Sequence, residues 1–128
     1  MTVIAWQKLE GAAIAVASVA SLVIGFGQAW WWPLALFLAF DVSAAGYTAG
    51  PRIGAAVYNA GHSYVGPVAA AAVFAATGAE AWIIVATSWA FHVGVDRALG
   101  YGLKHSDDFQ HTHLGWIGKR PLDADAAQ

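Results

Sequence analysis

Four ionisable side chains interrupt otherwise apolar stretches of this sequence: Asp41, His62, His92 and Asp96. His92 and Asp96 stand four residues apart, so they share one face of a helix. Asn59 and His62, three residues apart, share another. Imidazole and carboxylate groups bind Zn²⁺, Mn²⁺ or Fe²⁺, and helical bundles carry such ligands at a spacing of about three residues. The pattern therefore predicts a divalent-metal site to which several helices contribute.

The polar segment near the C-terminus holds further groups that can bind a metal: His105, Asp107, Asp108, His111 and His113. Asp108 and His111 have a helical spacing of three. If this segment covers the cytoplasmic side of the bundle, it completes a coordination sphere and leaves one position for a water whose pKa falls to about 7, as catalytic zinc does. A membrane-embedded, metal-dependent hydrolase is then one expected function.

The same polar groups also fit a structural network without a metal. Asp41 could pair with Arg52 or Arg97, and His62 could bond a main-chain carbonyl, because polar side chains hold transmembrane helices together. The sequence contains no H-E-x-x-H zinc motif, Gly-rich phosphate loop or serine elbow. The residues alone therefore leave metal binding, a structural network and proton or solute passage open.

The composition indicates where the elements that carry these residues lie. Of the 128 residues, 59% are hydrophobic and only 11% are charged, whereas a soluble domain has about 25% charged residues. That deficit leaves too little polar surface to cover a water-soluble globule, while a bilayer requires an apolar exterior. No basic run suggests a nucleic-acid partner. Cysteine is absent, which excludes disulfides and thiolate ligands.

The apolar residues form four segments, each long enough to cross a hydrocarbon core of about 30 Å. Trp30-Trp31-Trp32-Pro33 and Gly50-Pro51 separate segments, because proline ends or begins helices and indoles favour the headgroup boundary. The predicted spans are residues 9–28, 31–49, 52–77 and 79–103, with a kink at Gly66-Pro67 in the third. We predict an all-α fold: a polytopic membrane bundle of about four transmembrane helices (residues 1–103) and a short polar tail (104–128), partly docked on the bundle.

The lysines and arginines indicate the orientation of this bundle. With four spans, all six fall on one side, and the turns at residues 28–33 and 77–80 contain none. The six are Lys8, Arg52, Arg97, Lys104, Lys119 and Arg120. The positive-inside rule places that side, together with both termini, in the cytoplasm.

Three blocks of residues resemble a known family. The first runs from Asp41 to Tyr47 and on through Gly50-Pro51-Arg52 to Tyr58-Asn59-x-x-His62; the second runs from His92-x-Gly94-x-Asp96-Arg97 to Lys104; the third runs from Phe109 through Thr112-His113 to Gly118. Together they are similar to an uncharacterised family of small bacterial integral membrane proteins, a domain of unknown function. The resemblance implies a compact multi-pass protein of the bacterial inner (cytoplasmic) membrane and no established reaction. It favours His113 over His111 and His105 as a ligand from the tail.

These observations predict two sets of site residues. The metal ligands are Asp41, His62, His92, Asp96 and His113. The supporting polar network is Arg52, Tyr58, Asn59, Arg97, Asp108 and His111.

Two functions follow from them. The first is a cytoplasm-facing divalent-metal site (Zn, Mn or Fe) of a membrane-embedded hydrolase or oxidase. The alternative is a non-catalytic accessory or scaffold subunit of a larger membrane complex or homo-oligomer, in which the cluster is structural and no cofactor binds. A carrier ranks last, because the outer halves of the segments contain almost no polar groups. The sequence identifies no substrate, and it does not show whether the protein is an enzyme.

Overall fold

A computed structural model describes residues 1–120 and Leu122. The α-helices in this part of the chain are α1 (Val3–Ala20), α2 (Trp32–Ala35), α3 (Pro51–Gly61), α4 (Val65–Thr77) and α5 (Glu80–Leu99). A π-helical turn, Ser21–Gly25, continues α1, and a 3-10 helix, Phe37–Ala49, follows α2. The predicted all-α class is therefore confirmed. The tail adds one small antiparallel hairpin, β1 (His111–Thr112) and β2 (Gly115–Trp116), in which His111 pairs with Trp116.

Helices α1 and α5 approach each other closely because small residues line their contact. A Cβ added at Gly94 would lie 2.7 Å from the carbonyl oxygen of Gly11 and 2.9 Å from the main-chain nitrogen of Ala15. Small residues at this spacing let two helix backbones touch. The close approach fixes the position of α5, and with it the two site residues that this helix carries.

The second predicted span contains a 3-10 helix of 13 residues. Helices of this type are usually shorter, because their hydrogen bonds are strained. Side chains three apart form one ridge in this geometry. Ser43 and Gly46 of one ridge lie against Gly61 and Val57 of α3. The next ridge contains Asp41, whose carboxylate lies near His62 at the end of α3 and His92 of α5.

The third predicted span is divided into α3 and α4, and its break lies at residues 62–64 rather than at Gly66-Pro67 as expected. Pro67 is the third residue of α4, where a missing N–H costs nothing because that group has no partner within the helix. The indole Nε1 of Trp89 donates to the carbonyl of Gly61 at 2.6 Å and so stabilises the break. His62 caps α3 with a non-helical main chain (φ −112°, ψ 18°).

Many large apolar side chains lie on the outside of the bundle, and many polar side chains lie inside. Ile24, Leu38 and Val65 are exposed over 84, 76 and 75% of their surface. The buried polar side chains are Ser18, His62, Thr87, Ser88, His92, Asp96, Arg97, Lys104 and Thr112. By length and composition, one helix among the described residues, Val3–Gly25, could cross a membrane, and α4 is apolar but shorter. A signal sequence near an N-terminus passes the same test, so helix length alone supports a membrane only weakly.

Candidate metal centre

Four side chains from three elements converge on one point. Asp41 comes from the 3-10 helix, His62 from the end of α3, and His92 and Asp96 from successive turns of α5. The Nε2 atom of His62 lies 3.3 Å from Oδ1 of Asp41, 3.4 Å from Oδ2 of Asp96 and 3.0 Å from Nε2 of His92. The Nε2 atom of His92 lies 3.5 and 3.6 Å from the same two oxygens. One ligand atom from each residue thus lies within 4.8 Å of the others.

Five of the six separations between these ligand atoms agree with a tetrahedral metal site. A Zn²⁺ ion with nitrogen and oxygen ligands at about 2.0–2.1 Å sets those ligand atoms about 3.3 Å apart along each edge of the tetrahedron. The five measured edges run from 3.0 to 3.6 Å. The four residues can therefore hold a divalent cation with little rearrangement.

The hydrogen bonds of His62 determine which of its ring nitrogens faces the cluster. Its Nδ1 lies 3.1 Å from the carbonyl oxygen of Tyr58 and 3.2 Å from Oγ of Ser43. A carbonyl only accepts, so Nδ1 carries the proton, and the Ser43 hydroxyl is free to accept because it donates to Phe40. The neutral ring then directs the lone pair of Nε2 into the cluster. Such a bond from the outer nitrogen is typical of metal-binding histidines.

His92 is fully buried among aromatic rings. The ring centroids of Phe37 and Phe40 lie 4.5 and 5.6 Å from its own. Its Nδ1 makes no hydrogen bond of regular geometry with the described residues, and the main chain of Phe37 is its polar neighbour. The other ring nitrogen, Nε2, faces the cluster, 3.0 Å from Nε2 of His62.

Two buried cations flank the cluster. The guanidinium of Arg97 donates to the carbonyl oxygens of His62 at 3.0 Å and Tyr101 at 3.2 Å. The ammonium of Lys104 lies 4.1 Å from the ring centroid of Phe109. Burial lowers the pKa of Lys104, and the carboxylates of Asp96 and Asp108 oppose that shift. Both cations act on Asp96 electrostatically, so this end of the bundle combines acidic ligands with positive charge.

The chain matches the family model of a domain of unknown function, DUF4260, over residues 4–117. It belongs to this family. The match confirms the resemblance to an uncharacterised family, and it contains all four residues of the cluster. No curated protein and no solved structure matches the chain significantly.

Within this DUF4260 chain, Asn59 binds the tail rather than the cluster. Its side-chain nitrogen donates to the carbonyl oxygen of Lys104 at 2.9 Å, and its oxygen accepts from the N–H of Lys104 at 2.7 Å. Asn59 therefore attaches the tail to α3. On the same helix, Tyr58 stacks on the His62 ring with centroids 3.7 Å apart and 8° between the planes. The Lys104 ammonium lies 5.0 Å from the centroid of Tyr58, so the tail contacts the residue that supports His62.

The DUF4260 structure places His113 outside the cluster. Its Nδ1 accepts from the N–H of Leu103 at 2.8 Å, and its Nε2 lies 3.3 Å from Oε1 of Gln7 on α1. Both ring nitrogens are thus engaged in attaching the tail to the bundle.

Three further residues of the predicted network, His111, Asp108 and Arg52, also lie away from the four converging atoms. His111 bonds Asp107 at 2.7 Å and stacks between His105 and Trp116. Asp108 accepts from the N–H of Gln110 within a turn. Arg52 is exposed in the first turn of α3. Of the predicted network, Tyr58 and Arg97 are the members in contact with a cluster residue.

Sequence reasoning missed Ser43, Phe37 and Phe40, which contact the two histidines from the 3-10 helix. Their spacing of three residues was the available signal. The same spacing is compatible with an α-helix, so it pointed to no particular partner.

The pKa of His113 predicts that tail docking depends on pH. Burial lowers this pKa, and the nearby charge of Arg97 lowers it further. The folded state therefore favours the neutral ring, so its contribution to docking is complete above the ordinary value of about 6.5 and is lost as the pH falls through the lowered pKa. We expect amide exchange at Leu103 and His113, corrected for intrinsic rates, to increase between pH 7.5 and 5.

The variant His113→Asn keeps an acceptor for Leu103 and removes the titration, so its exchange should not change over this range. His111→Asn is the matched control and should retain the pH dependence of the wild type, because His111 bonds Asp107 and not the bundle. Equal exchange at both pH values in the wild type would contradict this assignment.

Proposed function

We propose that this protein is an integral membrane protein whose helix bundle binds one divalent metal ion through Asp41, His62, His92 and Asp96. The observation that carries the proposal is the convergence of four electron-pair donors, two carboxylate oxygens and two imidazole nitrogens, at separations of 3.0–3.6 Å. Donor atoms repel one another at such distances unless a proton or a cation lies between them. The bond from Nδ1 of His62 to the carbonyl of Tyr58 leaves the Nε2 lone pair of His62 facing the cluster, which favours a cation.

Zinc fits this site best among the metals considered. Two imidazoles and two carboxylates suit Zn²⁺, Mn²⁺ and Fe²⁺, but the tetrahedral arrangement is the geometry of zinc. Mn²⁺ or Fe²⁺ would require further ligands to reach six-coordination. The charges of Asp41 and Asp96 neutralise a divalent ion. Zinc would supply Lewis-acid chemistry without redox chemistry, which favours a hydrolase over an oxidase, provided that one of the four ligands gives up its position to water or substrate.

The distribution of side chains supports a membrane location. Large apolar residues such as Leu38 and Val65 face outward, while charged Arg97 and Lys104 are buried. In water this arrangement would expose much of the apolar surface, whereas in a bilayer lipid covers it. The cluster then lies inside the membrane, where ionisable groups are expensive and usually functional.

Segment lengths support four spans, although among the described residues a single helix passes the test of length and composition. The 20 residues of α5 are about 30 Å long at 1.5 Å per residue. The 3-10 helix rises about 2.0 Å per residue, so its 13 residues alone are about 26 Å long. This stretched geometry lets residues 32–49 cross a core of about 30 Å, which a regular α-helix of that length would barely do.

Contacts at the two ends of the bundle support the proposed orientation. Gln28 donates to Glu80 at 3.2 Å, which brings the two turns without Lys or Arg to the same end. Lys8 lies beside Gly100, and Asn59 bonds Lys104, at the opposite end. The basic end would be cytoplasmic by the positive-inside rule.

Elemental analysis tests the metal proposal. Wild-type protein, purified from metal-replete cells in mild detergent without chelators, should contain about one zinc per chain. His62→Ala and His92→Ala should retain less than about a tenth of that, because each removes a buried ligand. His105→Ala is the matched control and should keep the wild-type content.

Metal-free wild-type protein with unchanged stability of His92→Ala would overturn the proposal. Metal-free wild-type protein in which His92→Ala lowers the stability would also overturn it, and the cluster would then be a hydrogen-bonded network that holds the helices together. A stoichiometric protein partner in the same preparation would favour the accessory-subunit function.

The lack of cysteine makes the topology directly testable, because any introduced cysteine is the only one in the chain. In right-side-out inner-membrane vesicles or intact cells, Gln28→Cys and Ala79→Cys should react with a membrane-impermeant maleimide added outside. Lys8→Cys and Asp107→Cys should react only after the membrane is permeabilised. Outside labelling of Asp107→Cys together with Gln28→Cys would contradict four spans.

A further inference from the structure

The four ligands differ sharply in their exposure. The side chains of His62 and His92 are 1 and 0% exposed and that of Asp96 is 12% exposed, whereas that of Asp41 is 44% exposed. Three ligands thus form a closed inner face. A molecule that approaches the cluster from outside meets Asp41 first.

Asp41 is also the ligand with the weakest support. His62 is fixed by two bonds at Nδ1 and by the Tyr58 ring, and His92 is enclosed by Phe37 and Phe40. Among the described residues, the Asp41 carboxylate hydrogen-bonds to His62, which is itself part of the cluster. Its helix has strained 3-10 hydrogen bonds, and such stretches often act as hinges.

Charge determines what could replace Asp41. If Asp41 leaves a divalent ion, the remaining ligands are two neutral imidazoles and the single negative charge of Asp96. The cations of Arg97 and Lys104, 7 and 5% exposed, act electrostatically on Asp96. The site then carries an excess of positive charge in an apolar surrounding, so an anionic ligand is favoured over a neutral one.

The side chains around Asp41 indicate what should be attached to the anionic group of that ligand. Leu38 precedes it by three residues and so lies on the same ridge of the 3-10 helix, 76% exposed. Val42 follows it and is 71% exposed. The opening is therefore bordered by apolar side chains on the outer surface of the bundle, where an aqueous anion would lose its hydration.

We propose that Asp41 is the exchangeable ligand of the metal centre, and that the anionic headgroup of a lipid takes its place, with an acyl chain along Leu38 and Val42. This inference rests on the proposed metal site and membrane location. Exchange forms one metal–oxygen bond and breaks one, and it involves no redox step. The site would thus act on, or sense, an amphiphile with a carboxylate or phosphate group.

Cobalt-substituted protein in detergent tests the proposal, because the d–d absorption of Co²⁺ reports a change of ligand. The probes are laurate and acetate, which share a carboxylate and differ in the chain. Asp41→Ala should still bind about one Co²⁺ per chain, through His62, His92 and Asp96. It should also bind laurate at least about tenfold more tightly than the wild type, because no protein ligand has to be displaced. Asp107→Ala, an exposed carboxylate outside the cluster, is the control and should match the wild type in both measurements.

Leu38→Asn distinguishes the chain from the headgroup. In this variant the laurate affinity should fall about tenfold, while the acetate affinity should be unchanged. Partition of laurate into micelles is the same for every variant, so it cannot produce this difference.

Each outcome has a distinct meaning. Wild-type protein without Co²⁺ would overturn the metal site itself. Wild type that binds Co²⁺ while Asp41→Ala binds none would leave the metal site standing and overturn the role of Asp41. Equal responses to laurate and acetate, or no effect of Leu38→Asn, would show that the exchanging ligand is a soluble anion and overturn the lipid proposal.

Discussion

The structure depends on one electrostatic constraint: electron-pair donors of like polarity meet where little water can separate them. His62 and His92 present their Nε2 atoms to each other at 3.0 Å, with two carboxylate oxygens within 3.6 Å of these nitrogens. Buried polar groups are stable when each lone pair has a positive partner. A cation at the centre would satisfy all four at once, as the proposed metal site requires.

The rest of the fold holds these donors in place. Glycine contacts between α1 and α5 fix the helix that carries His92 and Asp96. The chain breaks after α3, where His62 turns inward. Trp89 donates to the carbonyl of Gly61, and Arg97 donates to the carbonyl of His62. The tail then attaches through Asn59 and His113 and brings Lys104 over Tyr58. The contacts around α3, α5 and the tail thus support the same cluster.

The sequence predicted the helical class and the four converging residues, because an Asp or His is conspicuous in an apolar segment and because His92 and Asp96 share a helix face. It misplaced Asn59, since the spacing argument assumes that His62 is helical, whereas His62 ends α3 with a different main-chain conformation. It misplaced the kink because proline is tolerated in a first turn. The position of His113 depends on its hydrogen bonds with the main chain of Leu103 and the side chain of Gln7. Gln7 is distant in the chain, and a leucine main chain gives no signal in the sequence. The 3-10 geometry is set by packing against α3 and has no local signature.

The most direct test of the metal centre is X-ray absorption at the zinc edge of the purified protein. The geometry predicts about four nitrogen and oxygen neighbours at about 2.0 Å, with outer-shell scattering from two imidazole rings. A six-coordinate shell without imidazole scattering, or no bound zinc, would contradict it.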